Sequence, residues 1–371
     1  MTSNSSSPES DRLTLKSGIS SASCIERTKA TKALLVSEVG KPVTLVSDRL
    51  IPEPGANQVQ VKVTVAGLNP HDEKSRDQGL LITSLPSILT NDVVGRVTKL
   101  GQGATNTVIG DRIVYQASLA PGSTQNGLQE YAIADLGALA KILDSITDDE
   151  AATLPTNIIA PLVALFETLQ ILAPWSPAAK GFDYANAAIL IVGGGSNCGR
   201  FGVQLAKLAG IGRIVVVGGD EAELKSFEAT HVIDRQAGYE TVLAHIRDIV
   251  GDDLVYAYDA VNPPDGQLLA LNALSSHKQG ALARLLPRDP VDESKILGKK
   301  AGFNVRDVFG SSYQHPRLAG GFWSRVMGYI EAGQIKPLAY DVKKGLLASN
   351  VNEVLDAYKD GKAVTKTHIH L

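Results

Sequence analysis

One segment constrains the fold of this 371-residue chain more than any other. It reads Ala187-Ala188-Ile189-Leu190-Ile191-Val192-Gly193-Gly194-Gly195-Ser196-Asn197-Cys198-Gly199-Arg200-Phe201 and continues to Lys207. The apolar run up to Val192 suits a parallel strand covered on both faces. Gly193 and Gly195 permit a turn too tight for a Cβ and let the backbone approach a ligand. Gly199 lets the following helix pack closely on its strand. Phe201, Val203, Leu205, Ala206 and Leu208 give that helix an apolar face. A helix that starts at such a turn points free N–H groups and a positive dipole end at an anion. This is the chemistry of pyrophosphate binding in dinucleotide folds. Gly193, Gly194, Gly195, Ser196, Asn197 and Gly199 are the candidate cradle. Their G-x-G-x-x-x-G spacing is one residue longer than the usual fingerprint.

A strand–helix rhythm follows. Strands are expected at Ile214–Val217, His231–Ile233, Leu254–Ala260, Ala281–Leu286 and Val305–Phe309. Helices are expected at Glu221–Phe227, Tyr239–Val250 and Gln267–Leu274, with a chain break at Pro263-Pro264. Alternation of this kind predicts a doubly wound parallel sheet with its ligand crevice at the carboxyl ends of the strands.

The part before the glycine turn reads differently. Ala33–Val36, Val59–Val65, Val93–Leu100, Arg112–Tyr115 and Glu130–Ile133 look like strands punctuated by glycine. Val59, Val61, Val63 and Val65 alternate with Gln60, Lys62 and Thr64, the period of a half-buried strand. Asn157–Trp175 is the longest mostly apolar stretch, but Pro161, Glu167 and Gln170 make it a buried helix rather than a membrane span. The tail reads as a helix Phe322–Ala332, a helix Asn350–Asp360 and a final strand Lys366–Leu371.

Composition narrows the function. A net charge of −3 leaves no electrostatic footprint for nucleic acid. Two cysteines, Cys24 and Cys198, offer no disulfide framework and suit a reducing, cytoplasmic setting. Residues 1–30 are rich in Ser and Thr and read as a disordered extension, in which Glu9, Asp11 and Glu26 argue against a transit peptide.

Together these parts resemble the medium-chain dehydrogenase/reductase superfamily. The landmarks are Gly67-Leu68-Asn69-Pro70-His71-Asp72, Asp92-Val93-Val94-Gly95, Val108-Ile109-Gly110-Asp111-Arg112-Ile113, Leu128-Gln129-Glu130-Tyr131, the glycine turn, and Ala229-Thr230-His231-Val232-Ile233-Asp234. The likeness is greatest to the fungal zinc-independent group, which includes the trans-acting enoyl reductases and the ToxD-like and concanamycin-induced-protein-B-like proteins. Asp307-Val308-Phe309-Gly310-Ser311-Ser312 and Asp356-Ala357-Tyr358-Lys359-Asp360-Gly361-Lys362 are similar to the last of these. The resemblance implies an α/β protein: a GroES-like, mainly-β catalytic domain over 31–156 and 311–371, with a Rossmann domain inserted at 157–310.

Zinc-dependent members hold the metal with Cys, His and Cys or Asp ligands. The position resembling the first ligand is Asn69, and that resembling the histidine is Asn91. The third falls near Thr156-Asn157, where no cysteine stands, so no metal is expected. His368-x-His370 could place two imidazoles on one strand face, against the plainer reading of a polar edge strand. His231 reads as structural and Cys198 as packing.

The resemblance places Asn69 near the nicotinamide and substrate. Lys74 completes an Asn-Pro-x-Asp-x-Lys pattern and is a candidate donor to a substrate carbonyl, against the alternative of a solvated lysine. His71 is a candidate substrate contact in the same turn, which Asp72 orders. Tyr115 is a candidate cleft aromatic, and Tyr131 reads as core. Gly219 and Asp220, after the second strand, face the adenosine ribose. Asp220 favours NAD there. The resembling group uses NADPH, for which Lys225 or Arg235 would supply a cation; NADP is the expectation, NAD the alternative.

Without a Lewis acid, alcohol oxidation is disfavoured and hydride addition to an activated C=C bond is favoured. The expected activity is NAD(P)H-dependent reduction of an enone, enoyl thioester or quinone. A zinc-free alcohol or aldehyde dehydrogenase and a non-catalytic dinucleotide-binding scaffold are the alternatives. The expected partners are a small-molecule substrate and, by resemblance, a polyketide synthase acted on in trans. Neither nucleic acid nor membrane is expected, and the chain is taken as a monomer or homodimer.

Overall fold

The computed structural model describes residues 30–285 and 290–371. The expected extension, up to residue 29, and Leu286 at the end of the fifth expected strand lie outside the described residues.

The chain begins with an antiparallel pair, β1 (Ala30–Leu35) and β2 (Thr44–Leu50). β3 (Gln58–Gly67) follows, with Val59, Val61, Val63 and Val65 all buried, as their alternation requires. Next comes a helix, α1 (Pro70–Gln78), where the sequence suggested only a turn. The Asn69 N–H donates to Asp72 Oδ2 at 2.8 Å, proline opens the first turn, and Gly79 closes the helix at φ 75°. Its charged sequence, PHDEKSRDQ, has no apolar stripe to announce it. β4 (Asp92–Leu100), β5 (Arg112–Gln116), β6 (Tyr131–Asp135) and β7 (Leu139–Lys141) complete the first run.

α2 (Asp148–Ala152) and α3 (Pro155–Val163) lead toward the glycine turn. α3 widens into a π-turn over Ala164–Thr168 just after Pro161, and Gln170, at φ 59°, ends it. The buried helix is therefore shorter than Asn157–Trp175 implied. Then come β8 (Ala188–Val192), α4 (Asn197–Ala209), β9 (Arg213–Val217), α5 (Glu221–Ser226), β10 (His231–Ile233) and α6 (Tyr239–Val250). β11 (Tyr256–Asp259), α7 (Pro264–Ala273), β12 (Gly280–Leu285) and β13 (Phe303–Val308) follow. Pro264 does not break the chain but opens α7, a position its fixed φ suits.

The expected helix Phe322–Ala332 is two helices, α8 (Pro316–Trp323) and α9 (Val326–Glu331). Arg325 Nη1 donates to the Gly321 carbonyl at 2.8 Å, capping the first helix with the side chain that interrupts the run. β14 (Tyr340–Lys344), α10 (Ala348–Lys359) and β15 (Lys366–His370) finish the chain.

Six strands form a parallel sheet in the order β10-β9-β8-β11-β12-β13. The order reverses direction at β8, so its carboxyl end is a topological switch point. Ile189 and Ile191 of β8 join one buried cluster and Leu190 and Val192 another, because both sheet faces are covered. The first cluster runs on into α2, α3 and α8, so one core is shared with the β-rich part. The other sheet has the order β14-β15-β3-β4-β5-β7, with β6 also pairing β3. β15 is an interior strand rather than a polar edge: it pairs β14 on one side and β3 on the other, and His368 is fully buried.

Candidate active site

Asn69 and Asp92 meet at the base of the site. Asn69 precedes α1 and Asp92 opens β4; both are buried. Asn69 Nδ2 donates to Asp92 Oδ2 at 2.8 Å. The Lys366 ammonium, from the start of β15, donates to Asn69 Oδ1 at 2.9 Å and ion-pairs with Asp92 Oδ2. The Thr156 N–H donates to Asp92 Oδ1 at 2.7 Å, and Asn157 Nδ2 reaches Asp92 Oδ2 at 3.5 Å and the Thr153 carbonyl at 3.2 Å. The Lys366 stem crosses Gly67, where an added Cβ would lie 3.0 Å from both Cε and Nζ. Burial opposes ionisation of Asp92, but the Lys366 charge and these hydrogen bonds outweigh it and hold its pKa below the usual 3.8. A fully desolvated carboxylate is kept charged by a fully desolvated ammonium.

All three positions that resemble zinc ligands are thus amides or hydroxyls. Both functional atoms of the Asn69 side chain are taken. Asn91 Nδ2 donates to the Ala117 carbonyl at 2.9 Å, and its Oδ1 meets His71 Nε2 at 3.1 Å. Thr156 Oγ1 is buried with no partner among the described residues. Among those residues no group of three or more His, Cys, Asp or Glu is placed to hold a metal ion.

Asp72, in the first turn of α1, is buried and accepts from the Asn69 and Thr90 backbone N–H groups at 2.8 and 2.9 Å. Burial raises its pKa against the pull of those bonds and of His71. Its expected role in ordering the local backbone is the one it fills. His71 lies on the partly exposed face of α1, and Lys74, one turn on, shares that face. The Lys74 ammonium makes no hydrogen bond or ion pair among the described residues. Tyr115 is not a cleft aromatic: it is fully buried and its hydroxyl donates to the Gln125 carbonyl at 2.7 Å. Tyr131 is half-buried, not core. His231 is exposed at the start of β10, with Nδ1 3.0 Å from Thr230 Oγ1. His368 and His370 both contact Asp149, at 2.8 and 2.9 Å.

At the switch point, Gly193 has φ 84°. A Cβ on Gly194 would lie 2.3 Å from Val216 Cγ1, and one on Gly199 would lie 2.3 Å from the Gly193 carbonyl oxygen. The turn between β8 and α4 is thus pressed against the end of β9, and the Gly193 and Gly194 N–H groups donate to the Val217 carbonyl at 3.0 and 3.2 Å. Ser196 caps α4: its Oγ accepts from the Gly199 N–H at 3.0 Å and donates to the Gly193 carbonyl at 2.9 Å. Its hydroxyl is therefore spent on the turn. Asn197 Oδ1 accepts weakly from Arg200 at 3.4 Å. The N–H groups of Gly195, Asn197 and Cys198 have no protein partner among the described residues, which leaves three donors for an anion. Burial pushes the Cys198 thiol up to about 12, so this cysteine packs rather than reacts.

At the second turn, Asp220 Oδ1 caps α5 by accepting from the Glu223 N–H at 2.7 Å. Gly219, at φ 101°, lies against Gly195. Lys225 is turned to the Thr230 carbonyl. Arg235 lies over Gly218, its Cδ 3.3 Å from where a Cβ would stand, and its guanidinium makes no hydrogen bond or ion pair among the described residues.

Sequence reasoning missed Lys366. Its only signal was a lone lysine on the same strand face as His368 and His370.

Comparison with known proteins agrees with this arrangement. Residues 55–148 match the alcohol dehydrogenase GroES-like domain. The trans-enoyl reductase tndF of Aspergillus flavipes is 30% identical over 354 residues, covering 92% of this chain and 99% of that protein. The trans-enoyl reductase tazE of Aspergillus terreus is 32% identical over 264 residues, covering 68% and 84%. The solved structure of mycobacterial Rv1454c complexed with NADPH superposes with a TM-score of 0.70 at 21% identity, covering 92% of this chain and 100% of that one. Two joined sheets, a glycine turn at the switch point and these likenesses lead to one conclusion: the chain belongs to the medium-chain dehydrogenase/reductase superfamily of oxidoreductases.

Proposed function

We propose that this protein reduces an electron-poor C=C bond of an enone, enoyl thioester or quinone with a nicotinamide dinucleotide, and without a metal. The supporting observation is the Asn69–Asp92–Lys366 knot. It puts one amide and a carboxylate paired with a held ammonium where a metal centre would need thiolate or imidazole. Saturated alcohol oxidation at neutral pH calls for a Lewis acid or strong base at the alcohol oxygen. A conjugated carbonyl needs only a hydrogen-bond donor on its oxygen and a proton for its α-carbon.

A reduced nicotinamide, when bound, supplies the hydride that forms the new C–H bond at the β-carbon. The chain's part is to bind, orient and polarise. The N–H groups of Gly195, Asn197 and Cys198 at the α4 terminus hold the pyrophosphate, and the cramped Gly194, Gly199 and Gly219 keep that surface open. The orphaned Thr156 hydroxyl and Asn69 border the reaction centre. Lys74 and His71, side by side on α1, are the donors offered to the substrate carbonyl.

NADP(H) is the dinucleotide we assign. Arg235 over Gly218 provides an uncommitted cation for a 2′-phosphate, while one oxygen of Asp220 caps α5. The NADPH in the mycobacterial neighbour supports this reading. The fungal relatives' printed name, trans-enoyl reductase, supports an enoyl acceptor presented in trans, and a polyketide synthase is the partner that the sequence resemblance implies.

NADPH oxidation with enones, enoyl thioesters, quinones and saturated alcohol–NADP⁺ pairs tests the proposal. Turnover confined to activated alkenes and quinones is expected, with kcat/KM for Lys74→Ala falling about tenfold, the worth of one hydrogen bond to developing charge. Equal turnover of saturated alcohols sinks it. Tight binding of NADPH with no turnover points to a scaffold instead.

A further inference from the structure

Beside His71 and Asn91 lies a small recess between α1, the 81–90 segment and the 118–126 segment. Its wall includes Asp72, which holds the Asn69 backbone, and Asn91, which holds His71, so it adjoins the site described above. It encloses about 20 Å³, on the order of the space that one water needs. Its lining mixes hydroxyl and apolar side chains with Asp72, Asn91 and Asn126. Ser87 Oγ and Ser123 Oγ face each other at 3.0 Å and are both buried, and Leu81 and Leu119 line the space with them. A pair of hydroxyls satisfies one O–H with the other's oxygen and leaves one O–H to give.

The backbone around the recess is held in an unfavourable form. Leu81, Thr90 and Ser123 have φ of 62°, 72° and 48°, and all three line it. A β-branched residue such as Thr90 rarely adopts the left-handed region. Here the Asp72 carboxylate accepts its N–H and the Gly127 N–H donates to its carbonyl at 3.1 Å. Strain fixed by surrounding bonds concentrates at ligand sites.

We propose that this recess receives a single terminal oxygen of the substrate in the space of one water, that oxygen accepting from the Ser87–Ser123 pair, and so selects a short chain that ends in a hydroxyl. This deepens the reductase reading above and rests on it. The acceptor is then a small enone or enoyl thioester ending in a hydroxyl, not a long alkyl chain.

The test compares hex-3-en-2-one, 6-hydroxyhex-3-en-2-one and dodec-3-en-2-one with NADPH. The hydroxylated enone is expected to exceed its alkyl partner at least tenfold in kcat/KM, with the twelve-carbon enone slowest. Ser87→Ala with Ser123→Ala is expected to bring the first ratio close to one. Leu119→Ala, at a half-buried position that tolerates truncation, is expected to narrow the gap between six and twelve carbons several-fold. Turnover of all three with no preference, or with the long chain preferred, overturns the recess proposal and leaves the reductase reading standing. No turnover of any overturns the reading itself and the proposal with it.

Discussion

Lys366 and Asp92 stand 274 residues apart in the chain yet share one buried ion pair. Neither could be spared alone. Lys366→Met leaves Asp92 charged and unpaired in the interior, and a loss of about 3–5 kcal/mol is expected by urea unfolding. Adding Asp92→Asn removes the stranded charge, so the double variant is expected to be more stable than Lys366→Met; additive losses would show that the two groups act independently. The sequence located Asn69 and Asn91 because each sits inside a short motif. Lys366 was illegible for a physical reason: it is recruited through strand pairing of β15 with β3, and no local pattern reports a contact made by register. Asp220 was open to two readings in sequence, since an acid after a strand serves equally as a helix cap, the role its Oδ1 fills.

At the scale of elements, the glycine turn and the sheet it opens were readable because each strand is a short apolar run and each helix has its own face. α1, β2 and β14 were not: their charged or exposed residues follow no period, and tertiary pairing creates them. Two measurements belong to the turns. Gly199→Ala drives a methyl group into the Gly193 carbonyl; about 1–3 kcal/mol of stability should be lost, together with NADP⁺ affinity, read by thermal unfolding and calorimetry. Arg235→Ala should weaken 2′,5′-ADP binding about tenfold or more, the worth of a charge-assisted bond, while leaving 5′-AMP binding nearly unchanged. Equal weakening of both would remove Arg235 from cofactor choice.

Across the whole molecule, β15 ties the two ends of the β-rich part together and carries a pH dependence with it. His368 is buried, which lowers its pKa from 6.5 despite its bond to Asp149 and in concert with the Lys366 charge. The folded protein therefore prefers the neutral imidazole. Its contribution to stability is full above 6.5 and is lost as pH falls below that value toward the lowered folded pKa. Asp149, its own pKa lowered from 3.8 by the two histidines against the cost of burial, contributes above 3.8 and fails below it. The unfolding midpoint should thus drop between pH 7 and pH 5 and again in stronger acid. His368→Gln should flatten the first step.

Reduction of an activated alkene requires hydride to arrive at the C=C bond rather than at the carbonyl. NADPH carrying deuterium at C4 of the nicotinamide, incubated with an α,β-unsaturated ketone and the metal-free protein, decides it by NMR of the product. A saturated ketone with deuterium at the β-carbon is expected. An allylic alcohol with deuterium on the carbinol carbon and its double bond intact would contradict it.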